Sequence, residues 1–220
     1  MPVKLIQYWN ILQGRKESFD TFFTKEFVPE IEKTGFMKMV GSWNVASGEG
    51  PYFVAEGVSE AIDQVESLIM DPAYFELRQK LFQRVGDYST KLLVPTDRVE
   101  PQPIQSELGY KFNQHFNINP SDYYEFIAFE EGKHIPGMEG FGLRMVGSWQ
   151  VAVGAAPYIV DECRAENLAT IGEMLQNPDY QKLTRKLLDM VANYGCKILV
   201  PSGHLNDWRL LIDDLVLNIL

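Results

Sequence analysis

Thiol, imidazole and positive charge are all scarce in this chain. Two cysteines, Cys163 and Cys196, stand among 220 residues. They are too few and too far apart for a zinc ribbon or a redox Cys-x-x-Cys pair, and reduced core thiols are favoured over a disulfide between them. There are three histidines, His115, His134 and His204. Neither His134 nor His204 has a histidine or carboxylate at a persuasive ligand spacing, so no metal site and no cofactor are expected. Lysine and arginine number 20 against 30 aspartates and glutamates, giving a net charge of −10 and a pI near 4.8. An acidic chain repels phosphate backbones, which excludes nucleic acid as a partner. No apolar run reaches the ~18 residues of a membrane span. The first residues, MPVKLIQYWNIL, carry no small-residue cleavage site and read as a strand rather than a signal peptide, so a cytoplasmic protein is expected. HExxH, Walker A and GxSxG motifs are missing too. Gly48-Glu49-Gly50 leads into a strand rather than a helix, so it fails as a phosphate loop.

What the chain does have is ordinary globular composition, 45% hydrophobic and 23% charged, and an internal repeat. Met39 to Trp43 reads MVGSW, and so does Met145 to Trp149, an offset of 106. The same offset relates Pro51, Tyr52, Glu56, Tyr74, Tyr88, Lys91, Leu93, Val94 and Pro95 to Pro157, Tyr158, Glu162, Tyr180, Tyr194, Lys197, Leu199, Val200 and Pro201. Upstream the offset is 107, relating Gln7, Asn10, Ile11, Phe19, Phe22 and Pro29 to Gln114, Asn117, Ile118, Phe126, Phe129 and Pro136. A match this long implies gene duplication and fusion. The expected organisation is a first copy over 1–98 and a second over 109–205. A proline-bearing linker over 96–108 joins them, and an amphipathic helix follows over 206–220.

Within a copy, Lys4 to Leu12 reads as a strand, and Phe19, Phe22, Phe23, Phe27 and Ile31 recur at helical spacing up to Gly35. Two strands follow, over 36–46 and 52–56, joined by Gly/Pro turn chemistry. A helix broken at Asp71-Pro72 and a last strand over 88–94 complete the unit. The order β-α-β-β-α-β is the ferredoxin-like split βαβ, with both helices on one sheet face. The bare face needs a cover. The expected fold is therefore α+β, two tandem modules whose sheets face each other as an intramolecular dimeric α/β barrel.

Strand alternation assigns Met39, Trp43, Met145 and Trp149 to the face under the helices. It assigns a polar set to the space between the sheets: Tyr8, Asn10, Lys38, Ser42, Asn44 and Lys91 from one copy, and His115, Asn117, Arg144, Ser148, Gln150 and Lys197 from the other. These imply a wet, partly cationic cavity suited to a small anionic or carbonyl-bearing ligand. For the tryptophans, core packing is favoured over stacking on a planar ligand. Glu56 and Glu162 are strand-end carboxylates in preference to a catalytic pair.

Gly35-Phe36, Val40-Gly41-Ser42-Trp43 and Gly48, repeated at Gly140-Phe141, Val146-Gly147-Ser148-Trp149 and Gly154, make the chain resemble the dimeric α/β barrel superfamily in its NIPSNAP-like form. The resemblance spans nearly all of residues 1–201. It implies cofactor-free monooxygenases, haem proteins of the chlorite dismutase kind and stress-responsive barrels as relatives, and it does not choose among them. Two readings stand. One is a small-molecule-binding barrel without chemistry of its own. The other is a cofactor-independent monooxygenase or isomerase acting on an aromatic or carbonyl compound. In the second, His115 takes a proton with Tyr8 beside it, while Arg144 and Asn117 stabilise developing charge on oxygen. A haem enzyme ranks third, because no helix-borne axial histidine is evident. Further association into a homo-oligomer is left open.

Overall fold

The structure, a computed structural model, describes residues 1–99 and 109–202. Most of the expected linker, His204 and the expected helix over 206–220 lie outside the described residues. The chain divides into two compact units. The first is built on residues 1–45 and 49–94 with 152–154. The second takes 46–48, the described residues of 95–151, and those from 155 onward.

In the first unit, β1 (Val3–Ile11) leads into α1 (Lys16–Phe22), a π-helical turn (Phe23–Phe27) and α2 (Val28–Lys33). The strands β2 (Lys38–Ser47) and β3 (Phe53–Ser59), the helices α3 (Ile62–Met70) and α4 (Pro72–Phe82), and β4 (Val85–Pro95) follow. The strands run β4-β1-β3-β2 in antiparallel order. The second unit repeats this. β5 (Tyr110–Ile118) is followed by α5 (Tyr123–Phe129), a π-helical turn (Glu130–His134) and α6 (Ile135–Gly140). Then come β6 (Arg144–Val153), β7 (Ile159–Ala165), α7 (Leu168–Gln176), α8 (Pro178–Leu188) and β8 (Val191–Pro201). Its strand order is β8-β5-β7-β6.

Local chemistry explains the punctuation. Asp71 ends α3 and caps α4, its carboxylate accepting from the N–H groups of Ala73 and Tyr74 at 2.7 and 3.4 Å, with Pro72 in the first helical position. Asn177 and Pro178 do the same for α8. Asp71→Ala removes an acceptor for two otherwise unpaired donors and is expected to cost about 1 kcal/mol, read as a lower urea midpoint. Gly35, at φ +71°, closes the α2 end. Its counterpart is Gly142, at φ +83°, and not Gly140, so the glycine pairing that the resemblance suggests shifts by two places.

Simple alternation fails in one place per unit. The β2–β3 register slips between Met39 and Gly41, and the β6–β7 register between Met145 and Gly147. Residues directly opposite in antiparallel strands share a face, and a bulge turns every later side chain over. Ser42 and Asn44 therefore lie opposite Ala55 and Phe53, and both of these belong to the core that packs under the helices. Ser148 and Gln150 lie opposite Asp161 and Ile159 in the same way. Trp43 and Trp149 turn to the other face, with Val54 and Val160. The bulge thus reverses the faces expected for these six residues. Before the bulges the alternation holds, with Met39 packed against the helix-side core and Met145 buried within it.

Three polar arrangements recur at matched positions, and in the first two the lysine or glutamine at the centre is buried. Lys4 Nζ lies 3.4 Å from Glu56, and Lys111 Nζ 3.5 Å from Glu162. Gln7 accepts from Tyr88 at 2.9 Å and from Tyr74 at 3.3 Å, and Gln114 donates to Tyr194 at 2.9 Å. Burial raises the phenol pKa of all four tyrosines of this network, Tyr74, Tyr88, Tyr180 and Tyr194, so they serve as neutral hydrogen-bonding groups. Asn10 and Asn117 each accept, at 2.8 Å, from the N–H of the residue after the turn proline, Tyr52 and Tyr158. Polar groups kept at both positions are fold elements: they partner polar atoms at the same place in each half.

Candidate functional site

The informative positions are those where the two halves differ. In the first half the π-helical turn sets Phe23 and Phe27 against Trp9, with ring centroids 6.1 and 6.2 Å away. Trp9 in turn stacks on Phe53 at 5.2 Å. With Ala55 these side chains join one continuous core that runs from Val3 to Leu92. At the matched positions the second half carries Glu130, His134 and Asp161. Its helix-side core falls into two clusters, one around Phe112, Met145 and Tyr180 and another around Phe116, Phe126 and Leu187. A polar group replaces the apolar side chains that make the first core continuous.

Glu130 and Asp161 are 0% exposed and His134 is 1% exposed. Helical spacing of four places Glu130 and His134 on one side of their turn, and π-helical turns recur at functional sites. Asp161 lies on the helix-bearing face by regular alternation along β7, and the bulge in β6 brings Ser148 opposite it. The Ser148 hydroxyl donates to Asp161 Oδ1 at 2.6 Å and accepts from Arg98 Nη2 at 2.9 Å. Arg98 Nε lies 2.8 Å from Glu130 Oε2, and its guanidinium covers the Phe126 ring at 5.2 Å. Thr96 holds the segment bearing Arg98 against β6, donating its N–H at 3.0 Å and its hydroxyl at 3.1 Å to the Ser148 carbonyl.

Glu130 Oε1, Asp161 Oδ2 and both ring nitrogens of His134 have no hydrogen-bond partner, and Glu130 Oε2 and Arg98 Nε meet as an ion pair without hydrogen-bond geometry. One ligand atom from each of the three residues can be chosen so that all lie within 4.8 Å of one another. Buried polar atoms cost several kcal/mol when left unmatched. Burial, and then the Asp161 carboxylate, push the Glu130 carboxyl up to about 10, with Arg98 pulling the other way. Glu130 is therefore a protonated acid at neutral pH. Burial lowers the His134 pKa, against the pull of Asp161, and keeps the imidazole neutral.

Arg98 also lines a cleft of about 1010 Å³ in the same unit, shared with Asn117, Tyr123, Ile127, Gln150 and Tyr158. The cleft is walled by aromatic and aliphatic side chains with amide and guanidinium groups and the carboxylates of Asp97 and Glu131 set among them, the mixed composition of a small-molecule pocket.

Of the residues expected from the sequence, the structure places Ser148 in the buried group and Asn117 and Gln150 at the cleft. Tyr8 and His115 are buried and lie opposite Val54 and Val160, on the strand faces turned away from the helices. Lys91 lies opposite Ile6 on the same face as Tyr8, and Lys197 opposite Asn113 on that of His115. Lys38 and Arg144 are exposed at the starts of β2 and β6. Asn10 holds Tyr52 and donates to Asp87 at 2.8 Å. Ser42 and Asn44 lie in the apolar half. Sequence reasoning missed Arg98, Glu130, His134 and Asp161. The signal for three of them lay in the repeat itself, at the positions where Phe, Phe and Ala change to Glu, His and Asp.

No protein-family model matches the chain, and no curated relative matches it. Solved structures show the fold. A candidate monooxygenase from Lactobacillus acidophilus NCFM aligns with a TM-score of 0.61 at 14% identity, over 90% of this chain and 93% of that one. An anthrone oxidase-like protein gives 0.57 at 11% identity, over 90% and 91%. A chlorite dismutase variant from Candidatus Nitrospira defluvii gives 0.59 at 9% identity, over 91% and 92%. The chain has the fold of the dimeric α/β barrels. Identities this low carry the fold and no activity. Among the described residues no helix is long and apolar enough to cross a membrane.

Proposed function

We propose that this chain is a cytoplasmic small-molecule-binding protein of the dimeric α/β barrel kind, of NIPSNAP-like form. In this reading it is a tandem duplication in which the first copy keeps an apolar core and the second carries the ligand site. The ligand occupies the second-half cleft. Its planar, apolar part lies against Tyr123, Ile127 and Tyr158, and a carbonyl, phenolate or carboxylate oxygen is anchored by Arg98 with the Asn117 and Gln150 amides. The observation that carries this reading is that Arg98 belongs both to the cleft and to a buried polar group present in only one half. A charged-group hydrogen bond is the strongest polar anchor available to an anionic oxygen.

A second reading makes the same site an oxygenase or isomerase for an aromatic or carbonyl compound. Its support is Arg98, a fixed positive charge of the type that stabilises an enolate or phenolate as it forms, together with fold neighbours named as a monooxygenase and as anthrone oxidase-like.

Anthrone, a tricyclic aromatic ketone whose enol tautomer is an acidic phenol, is a suitable probe. Saturable fluorescence quenching by anthrone is expected, weakened about tenfold or more in Arg98→Gln. Gln150→Ala is a second variant, should the arginine change disturb folding. Oxygen uptake that saturates with anthrone decides for the oxygenase, and binding without uptake decides for the plain binding protein. Quenching unchanged in both variants would move the ligand out of this cleft.

A further inference from the structure

We infer that Glu130, His134 and Asp161 form a binding site for a single first-row divalent metal ion, an inference independent of what occupies the cleft. The three donor atoms lie within 4.8 Å of one another, so a shift of a few tenths of an ångström brings them inside the span of about 4.4 Å that ligands at about 2.0–2.2 Å from one ion can have. The residues sit on a helical turn and an adjacent strand, both rigid elements, and all three are buried.

The pattern of satisfied and unsatisfied oxygens supports the assignment. Each carboxylate has one oxygen engaged from outside: Glu130 Oε2 by the Arg98 charge at 2.8 Å, an ion pair without hydrogen-bond geometry, and Asp161 Oδ1 by the Ser148 hydroxyl at 2.6 Å. The other oxygen of each, Oε1 and Oδ2, is unpartnered, as are both nitrogens of His134. Outer hydrogen bonds that fix one oxygen and free the other are how proteins orient carboxylate ligands to a metal. A proton shared between the two carboxyls would answer the acids alone. It leaves the imidazole, 1% exposed, with nothing to bond. A metal ion gives one atom of each residue a partner at once.

The donor set, one imidazole and two carboxylates, suits Zn²⁺, Co²⁺, Mn²⁺ or Fe²⁺ better than the all-oxygen shells of Ca²⁺ and Mg²⁺. Charge points the same way. A divalent cation can take the place of the proton that Glu130 holds in the metal-free chain, and two carboxylates then balance it beside the Arg98 guanidinium. Phe23, Phe27 and Ala55 occupy the matched positions of the first half, so only one site per chain is expected.

The test uses the full, tag-free chain, stripped with chelator and titrated with Co²⁺. Visible absorption reports ligation, and elemental analysis after Zn²⁺ loading reports stoichiometry. One equivalent of each metal is expected, with the affinity reduced at least 100-fold in His134→Gln and in Asp161→Asn, and unchanged in His115→Gln. Circular dichroism establishes that the variants fold. The triple variant E130F/H134F/D161A, which installs the first half's residues, is the second route and is expected to take up no metal. Absence of stoichiometric uptake of Co²⁺, Zn²⁺ or Mn²⁺ by the stripped protein, or uptake undiminished in the His134 and Asp161 variants, would overturn the assignment.

Discussion

Glu130→Gln is expected to stabilise the metal-free protein at pH 7.5 and to leave it unchanged at pH 5. Burial and the neighbouring Asp161 raise the Glu130 carboxyl from an ordinary 4.5 to about 10, so the folded chain holds a proton that the unfolded chain gives up above its ordinary value. The folded state then binds more protons than the unfolded state across that interval. Stability contributed below the ordinary value is lost progressively as pH rises towards the folded one. Each pH unit in the window is worth at most about 1.4 kcal/mol, so the native chain should lose about 1–3 kcal/mol between pH 5 and 7.5 through this group alone. Glutamine keeps the shape and has no proton to lose. Urea unfolding at the two pH values, with chelator present, reads the difference directly. Parallel pH profiles for native and variant chains would show that Glu130 ionises normally.

Lys111→Met is expected to do the opposite and cost about 3–5 kcal/mol, because removing one member of a buried ion pair weakens the compensation of the other buried charge. Glu162 is 1% exposed, with the Lys111 ammonium at 3.5 Å and the Trp149 indole N–H donating at 3.0 Å. The indole hydrogen bond persists in the variant but carries no full charge. Lys4→Met should be similarly damaging in the first half, where Lys4 serves Glu56 at 3.4 Å. The unfolding free energy at constant pH measures both. The contrast with Glu130 separates polar groups that recur and maintain the fold from one that occurs once at the expense of stability, the relation expected of a functional site.

Much of the fold was legible because it rests on local chemistry and periodicity. The repeat marked the two stretches in which the same order of elements recurs, the spacing from Phe19 to Ile31 located the first helix, and Asp71-Pro72 located the break between α3 and α4. The faces of β2 and β6 beyond Met39 and Met145 were not legible. A bulge is a choice of hydrogen-bond register that leaves the order of side chains untouched, so Ser148 and Trp149 read equally well on either face. The buried group was half legible. Glu130 and His134 sit where Phe23 and Phe27 sit, and Asp161 where Ala55 sits, so a position-by-position comparison of the copies marks them. Read singly, Glu130-Glu131-Gly132-Lys133-His134 looks like a solvated helix surface. Arg98 reads as linker, because its partners, Glu130 and Ser148, are distant in sequence and meet it only through tertiary packing.

The most direct test of this distinction is the unfolding free energy of Asp161→Ala at pH 7.5 in metal-free buffer. Asp161 and Glu162 are adjacent, equally buried carboxylates of β7, and alanine is the residue of the first half at the matched position. If the Arg98–Glu130–Asp161 group is a functional insertion into an otherwise apolar core, the variant unfolds at the same or a higher urea concentration than the native chain. A loss of stability comparable to that of Lys111→Met would make the group a structural element of the fold, and the assignment of function to it would be wrong.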